Sequence, residues 1–108
     1  MRRVLFICTQ NRLRSPTAEH LFAGRPGYEV ASAGVDTAAT TPVSAQLLEW
    51  ADLVFVMEAG HRSDLERRFG KSLKGKQLVC LDIPDMFHYM DRELVRLLEA
   101  RAGPYLKS

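Results

Sequence analysis

Four short apolar runs recur along the chain, and stretches with helical periodicity separate them. The runs are rich in Val, Leu, Ile and Phe and mostly lack polar alternation, which is typical of strands buried on both faces of a parallel sheet. They occupy Val4–Ile7, Tyr28–Ser32, Leu53–Met57 and Leu78–Leu81. Alternating strands and helices predict an α/β fold, a three-layer sandwich with a four-stranded parallel sheet.

Apolar residues at helical spacing predict a helix after each of these strands. The first helix begins with Ser15 as N-cap and Pro16 at its first position. The last follows Asp91 as N-cap and stops at Gly103-Pro104. The two helices between them cover Ser44–Trp50 and His61–Phe69. With no internal repeat or interdomain linker, the whole chain is predicted to form a single domain, residues 1–108.

This topology indicates where a functional site would lie before any motif is considered. Parallel strands end on the same edge of a sheet, and ligands bind in the crevice beyond those carboxyl ends. We therefore expect an active site to be assembled from the segments that reach this edge. They are Cys8–Arg14, Ala33–Thr37, Glu58–Gly60 and Asp82–Met90.

Composition narrows the class of protein. Of the 108 residues 46% are hydrophobic and 26% are charged, as in ordinary globular domains, and a net charge of +2 is too small to favour nucleic-acid binding. Two cysteines, Cys8 and Cys80, cannot build the disulfide framework of a secreted scaffold. The apolar run after Arg3 is too short for a signal peptide, and nothing approaches a membrane span of about 20 residues. The expectation is a cytoplasmic domain that binds neither nucleic acid nor membrane.

The segment that follows the first strand has the features of an anion-binding loop. Successive backbone N–H groups at a helix N-terminus form a nest for a tetrahedral anion, and Arg14 can close it with two parallel hydrogen bonds. Asn11 is one of the few residues that accept a left-handed conformation at low cost. The predicted phosphate-binding residues are Thr9, Gln10, Asn11, Arg12, Leu13, Arg14 and Ser15.

Cys8 stands at the start of this loop, where a thiol can act as a nucleophile. The helix dipole and Arg14 favour the thiolate form, and Ser15 can donate a hydrogen bond to the sulfur. A thiolate at this position would face the phosphorus of a phosphate ester bound in the loop. The N–H groups of the loop would stabilise the negative charge on the phosphoryl oxygens during the attack. The alternative is that Cys8 is a small buried hydrophobe and Arg14 a solvated surface charge.

These residues resemble a known family, the low-molecular-weight protein tyrosine phosphatases. The resemblance is carried, in order along the chain, by Val4–Glu19, Ser32–Gly34, Ala51–Met57 and Ile83–Asp85. Sequence that the family usually has is missing between Gly34 and Ala51 and around residues 70–77. Within the family, the chain is most similar to a short bacterial branch described as predicted tyrosine phosphatases.

The resemblance implies a flavodoxin-like fold and a phosphatase mechanism. In the family, a cysteine attacks phosphorus to give a phosphocysteine, the loop arginine binds the phosphoryl group, and a late aspartate protonates the leaving oxygen and then activates water. By motif these roles pass to Cys8, Arg14 and Asp85. No metal or cofactor is implied, and the expected substrate is a phosphotyrosine protein or a small aryl phosphate.

Without the family resemblance, the sequence offers four candidates for the general acid. Asp36, Glu58, Asp82 and Asp85 all fall near the carboxyl edge. Asp85 follows Pro84 in a loop long enough to reach over Cys8, so we assign it the acid role. The alternative is an ordinary Asp that initiates a turn.

Three departures from the family pattern bear on the substrate. Gln10 replaces the usual Gly, Arg12 replaces an apolar residue that flanks the substrate ring, and Asp85 is followed by Met86 instead of Pro. We predict a substrate wall made of Arg12, Phe87 and His88. Phe87 can stack on an aryl group, whereas Arg12 and His88 favour a more anionic substrate in a shallower pocket.

Other functions remain as alternatives. An arsenate reductase would need further cysteines to relay a disulfide, and only Cys80 is available, inside an apolar run. A phosphoryl-carrier domain similar to the B component of sugar phosphotransferase systems is disfavoured by Arg14. A module that binds phosphate or phosphopeptides without turnover is the main non-enzymatic alternative. Three scattered histidines do not indicate a metal site, and the sequence leaves the oligomeric state open.

Overall fold

The computed structural model describes residues 1–106, which form strands and helices in regular alternation. The strands are β1 (Arg2–Cys8), β2 (Tyr28–Gly34), β3 (Leu53–Val56) and β4 (Gln77–Cys80). The helices are α1 (Arg14–Phe22), α2 (Ala45–Trp50), α3 (Ala59–Phe69) and α4 (Arg92–Arg101), and a short 3-10 turn at Gly103–Tyr105 follows α4.

All strands of the sheet run parallel, in the order β2-β1-β3-β4. In this register Cys8 pairs with Gly34 and Ile7 pairs with Val56. β1 is therefore an interior strand, and its carboxyl end lies in the middle of the sheet edge where ligands are expected. The four-stranded parallel α/β fold predicted from the sequence is confirmed.

Both faces of the sheet are covered, which explains why the strands are apolar without alternation. On one face, the ring of Phe6 stacks between Phe22 and Phe55, with centroid distances of 5.6 and 5.0 Å, and α1 and α4 complete this layer. On the other face, α2 and α3 bury Leu48 and Leu65 against residues of β1 and β3. These two layers of helices, with the sheet between them, form the predicted three-layer sandwich.

The helix starts differ from two of the predictions. α1 begins at Arg14 with Leu13 at the N-cap, so the assignment of Ser15 as N-cap is wrong; Ser15 lies inside the first turn and directs its hydroxyl to Cys8. α3 begins at Ala59 rather than at His61. The N-cap role of Asp91 is confirmed, because its carboxylate accepts the backbone N–H of Glu93 at 2.9 Å.

Among residues 1–106, no helix has the length and apolar character needed to cross a membrane.

Gly34 gives a direct test of how tightly the loop after β1 is packed. A Cβ at this position would lie 2.6 Å from the carbonyl oxygen of Thr9 and 2.7 Å from the Cβ of Ala39. We expect Gly34→Ala to lower the free energy of unfolding by about 1–3 kcal/mol, measured by urea denaturation, because the backbone must shift to admit the methyl group.

The matched control is Gly60→Ala on α3, where an added Cβ meets no atom within 4 Å. Alanine favours the helix over glycine, so this variant is expected to be as stable as the natural protein or more so. A Gly34→Ala variant with unchanged stability would contradict the packing described here.

Candidate active site

Cys8 lies at the carboxyl end of the interior strand β1, and its sulfur is surrounded by hydrogen-bond donors. The backbone N–H of Asn11 donates to Sγ at 3.2 Å, and the hydroxyl oxygen of Ser15 lies 3.0 Å from Sγ. The residue is only 3% exposed. The Asn11 N–H donates to the sulfur, and the Ser15 hydroxyl lies within hydrogen-bond distance of it.

Asn11 stabilises the conformation of the loop between β1 and α1 through its backbone and its side chain. Its backbone is left-handed (φ 55°), the conformation the sequence predicted it could adopt. Its side-chain amide donates to the hydroxyls of Ser15 and Ser32, both at 2.9 Å, and the Ser32 hydroxyl in turn bonds the carboxylate of Glu19. Since the Ser15 oxygen accepts from Asn11, its own proton can be donated to the sulfur of Cys8 at 3.0 Å or to the carbonyl oxygen of Ala33 at 3.3 Å.

Arg14 is 1% exposed, and one edge of its guanidinium is fixed by protein partners. Nη1 donates to Glu58 Oε2 at 2.6 Å and to the carbonyl oxygen of Ile83 at 2.8 Å. The opposite edge is freer: Nε lies 3.8 Å from Asp85 Oδ1, and Nη2 lies 3.4 Å from Thr9 Oγ1. That edge presents parallel N–H groups suited to two oxygens of a phosphoryl group.

A cleft of about 240 Å³ opens above Cys8. Its walls are formed by Cys8, Thr9, Gln10, Arg12, Leu13, Arg14 and Asp85. The volume lies below the range of about 300–1,000 Å³ that is usual for drug-sized ligands, and suits a phosphoryl group with part of its ester. Most of the predicted phosphate-binding loop therefore lines one cavity, while Asn11 and Ser15 support it from behind.

The acids near the edge have separate positions. Asp85 lines the cleft with a side chain that is 62% exposed, within ion-pair distance of Arg14. Glu58 bonds Arg14 from the side, Asp36 accepts the N–H of Ala38 in its own loop, and Asp82 is exposed. Of these four acids, Asp85 is the one that lines the cleft.

The three residues of the predicted substrate wall do not lie together. Arg12 is exposed and lines the cleft. Phe87 packs against the core cluster beside α1 and α4, and His88 is exposed to solvent; neither of them lines the cleft.

Two residues of the site were not assigned a role from the sequence, Glu58 and His61. His61 is 5% exposed; its Nε2 lies 3.0 Å from Thr9 Oγ1, and its Nδ1 accepts the backbone N–H of Glu58 at 3.2 Å. Burial lowers the pKa of His61, and the charge of Arg14 lowers it further. The position of Glu58 two residues after the end of β3, at the ligand edge, was the available signal.

Across residues 1–106, no three His, Cys, Asp or Glu side chains gather in a group able to hold a metal ion.

Comparisons with known proteins point to phosphatases. No protein-family model matches the chain. A protein-arginine-phosphatase from Geobacillus stearothermophilus is 34% identical over 91 residues, but the alignment covers only 62% of this chain and 62% of that relative.

Solved structures match over nearly the full chain. The YwlE arginine phosphatase from Geobacillus stearothermophilus has a TM-score of 0.78 at 26% identity, covering 97% of this chain and 93% of that one. The tyrosine phosphatase Wzb from Escherichia coli K30, in complex with phosphate, has a TM-score of 0.78 at 25% identity, covering 96% and 95%. With the Cys8 loop and the parallel sheet that supports it, these likenesses show that the chain is similar in sequence and fold to phosphatases of the low-molecular-weight protein tyrosine phosphatase family.

Proposed function

We propose that the protein is a phosphatase that hydrolyses phosphate monoesters through a phosphocysteine on Cys8. The observation that carries the proposal is the shared cleft: a buried cysteine sulfur with two hydrogen-bond donors, a buried arginine and an exposed aspartate all face one cavity. The likeness to chains named as phosphatases supports it.

In the first step, the Cys8 thiolate attacks phosphorus, a sulfur–phosphorus bond forms, and the bond from phosphorus to the ester oxygen breaks. Protonated Asp85 gives its proton to the departing oxygen, which leaves as an alcohol or phenol. The free edge of Arg14 and the loop N–H groups hold the phosphoryl oxygens, whose charge would otherwise repel the thiolate.

In the second step, Asp85, now a carboxylate, takes a proton from a water molecule that attacks phosphorus from the side the leaving group has vacated. The sulfur–phosphorus bond breaks, inorganic phosphate forms, and Cys8 returns to its thiolate. Asp85 is protonated again, so the cycle closes without any further reactant.

The substrate proposed is phosphotyrosine or another aryl phosphate, on a protein or as a small molecule. Arg12, Arg14 and Asp85 line the cleft, so with Asp85 protonated for the first step two positive charges lie beside the ester group. Such a cleft attracts an anionic or neutral aryl phosphate and repels a cationic leaving group.

Phosphoarginine is the second candidate, because relatives of this chain are named as arginine phosphatases. Its guanidinium would have to lie near Arg12, an unfavourable contact between like charges. An arsenate reductase is less well supported, since Cys80 packs on the face of the sheet opposite to the cluster that contains Cys8.

The nucleophile is tested with Cys8→Ser. We expect hydrolysis of para-nitrophenyl phosphate to fall to the background rate, because an un-ionised hydroxyl is a far weaker nucleophile than a thiolate. Cys80→Ser is the matched control and is expected to retain activity. If the natural protein binds inorganic phosphate but shows no turnover above Cys8→Ser, it is a binding module and not a phosphatase.

The acid is tested with Asp85→Asn, compared on esters whose leaving groups differ. We expect kcat/KM, which reports the first step and not the later hydrolysis of the intermediate, to fall about 100-fold or more for phenyl phosphate, whose leaving oxygen needs a proton, and much less for para-nitrophenyl phosphate. Asp82→Asn, which changes an exposed acid in the same loop, is expected to behave as the natural protein. An equal loss for both esters in Asp85→Asn would count against the acid role.

The substrate class is tested with Arg12→Leu. We expect kcat/KM for phosphoarginine to rise relative to that for phosphotyrosine by about tenfold, since one like-charge contact is removed. Both substrates are assayed by phosphate release at the same ionic strength. An unchanged ratio would mean that Arg12 does not select the substrate.

A further inference from the structure

A hydrogen bond with Glu58 determines which ring nitrogen of His61 carries the proton. The Nδ1 atom of His61 accepts a hydrogen bond at 3.2 Å from the backbone N–H of Glu58, which is the N-cap residue of α3. A ring nitrogen that accepts a hydrogen bond carries no proton, so we assign the proton of the neutral ring to Nε2.

The ring is neutral at neutral pH. Burial lowers the pKa of His61 and Arg14 lowers it further, while the negative charges of Glu58, Asp64 and Asp85 act in the opposite direction without reversing the shift. A protonated ring would also place a second N–H against the Glu58 N–H, which is a contact between two donors.

His61 thus presents an N–H to the hydroxyl of Thr9. The Nε2 atom lies 3.0 Å from Thr9 Oγ1, and Arg14 Nη2 approaches the same oxygen at 3.4 Å. Both neighbours can only donate, and a hydroxyl has two acceptor sites and one proton. With both acceptor sites taken, the Thr9 proton must point to a third group.

Thr9 is one of the residues that line the cleft, so a group bound there lies within reach of this proton. A phosphoryl oxygen in that cleft can only accept hydrogen bonds, so it is the natural partner for this proton. A donor that is oriented before the substrate arrives needs no reorganisation as negative charge develops.

We propose that His61 is a positioning residue, which acts through Thr9 by turning its hydroxyl into a fixed hydrogen-bond donor to the phosphoryl group held in the cleft. The inference rests on the proposed function for its catalytic consequence. The competing account is that His61 only caps α3 through its bond with Glu58.

Two substitutions separate these accounts. Thr9→Val removes the hydroxyl at nearly constant volume. His61→Asn keeps a short acceptor for the Glu58 N–H but does not reach Thr9. We expect kcat/KM for para-nitrophenyl phosphate to fall about 10- to 100-fold in Thr9→Val and about five- to tenfold in His61→Asn. Thr9→Ser, which keeps the hydroxyl, is expected to recover most of the loss.

The decisive measurement is on the double variant with Thr9→Val and His61→Asn, compared with the two single variants. If His61 acts through Thr9, His61→Asn produces no further loss when Thr9 is already Val. Losses that multiply in the double variant, or full activity in Thr9→Val, would overturn the proposal. The Kd for inorganic phosphate is measured for the same four proteins. If the natural protein shows no turnover, the phosphatase function is refuted. The coupling of His61 to Thr9 is then still decided by the Kd values.

Discussion

The buried guanidinium of Arg14 is the group around which the rest of the site is arranged. A cation that is 1% exposed has given up its hydration, and this cost must be offset by fixed partners. Two partners come from parts of the chain distant in sequence: the carboxylate of Glu58 after β3 and the carbonyl of Ile83 after β4. One edge of the guanidinium is thereby immobilised, and the other is left to meet a phosphoryl group.

A second network of hydrogen bonds reaches the sulfur of Cys8, the proposed nucleophile. Hydrogen bonds connect Glu19 through Ser32 and Asn11 to Ser15, which lies 3.0 Å from the sulfur of Cys8. These residues come from α1, β2 and the loop between β1 and α1, so the network connects the sulfur of Cys8 to the neighbouring strand and helix. The lack of space for a Cβ at Gly34, next to Thr9, has the same origin, because β2 and the loop are packed backbone to backbone.

The sequence predicted the fold well because its strongest signals are local. Apolar runs without alternation located all the strands to within a few residues, and they required a sheet covered on both faces. That Cys8 and Arg14 line one cleft was also predictable, since they stand at the two ends of the short loop between β1 and α1. Contacts that cross between loops were not: the bond from Arg14 to Glu58 depends on how β1 and β3 are aligned, and the bond from His61 to Thr9 depends on where α3 begins. The packing of Phe87 against the core cluster, away from the cleft, is likewise set by tertiary structure, which no short pattern encodes.

The central claim is that phosphate is transferred to the sulfur of Cys8, and mass spectrometry of acid-quenched enzyme during turnover tests it most directly. Asp85→Asn is the best form for this experiment, because a slower second step lets the intermediate accumulate with para-nitrophenyl phosphate. The account predicts one phosphoryl group per chain, mapped to the peptide that contains Cys8 and absent from Cys8→Ser. Steady turnover by the natural protein, with no phosphoryl group on Cys8 in either form, would contradict it.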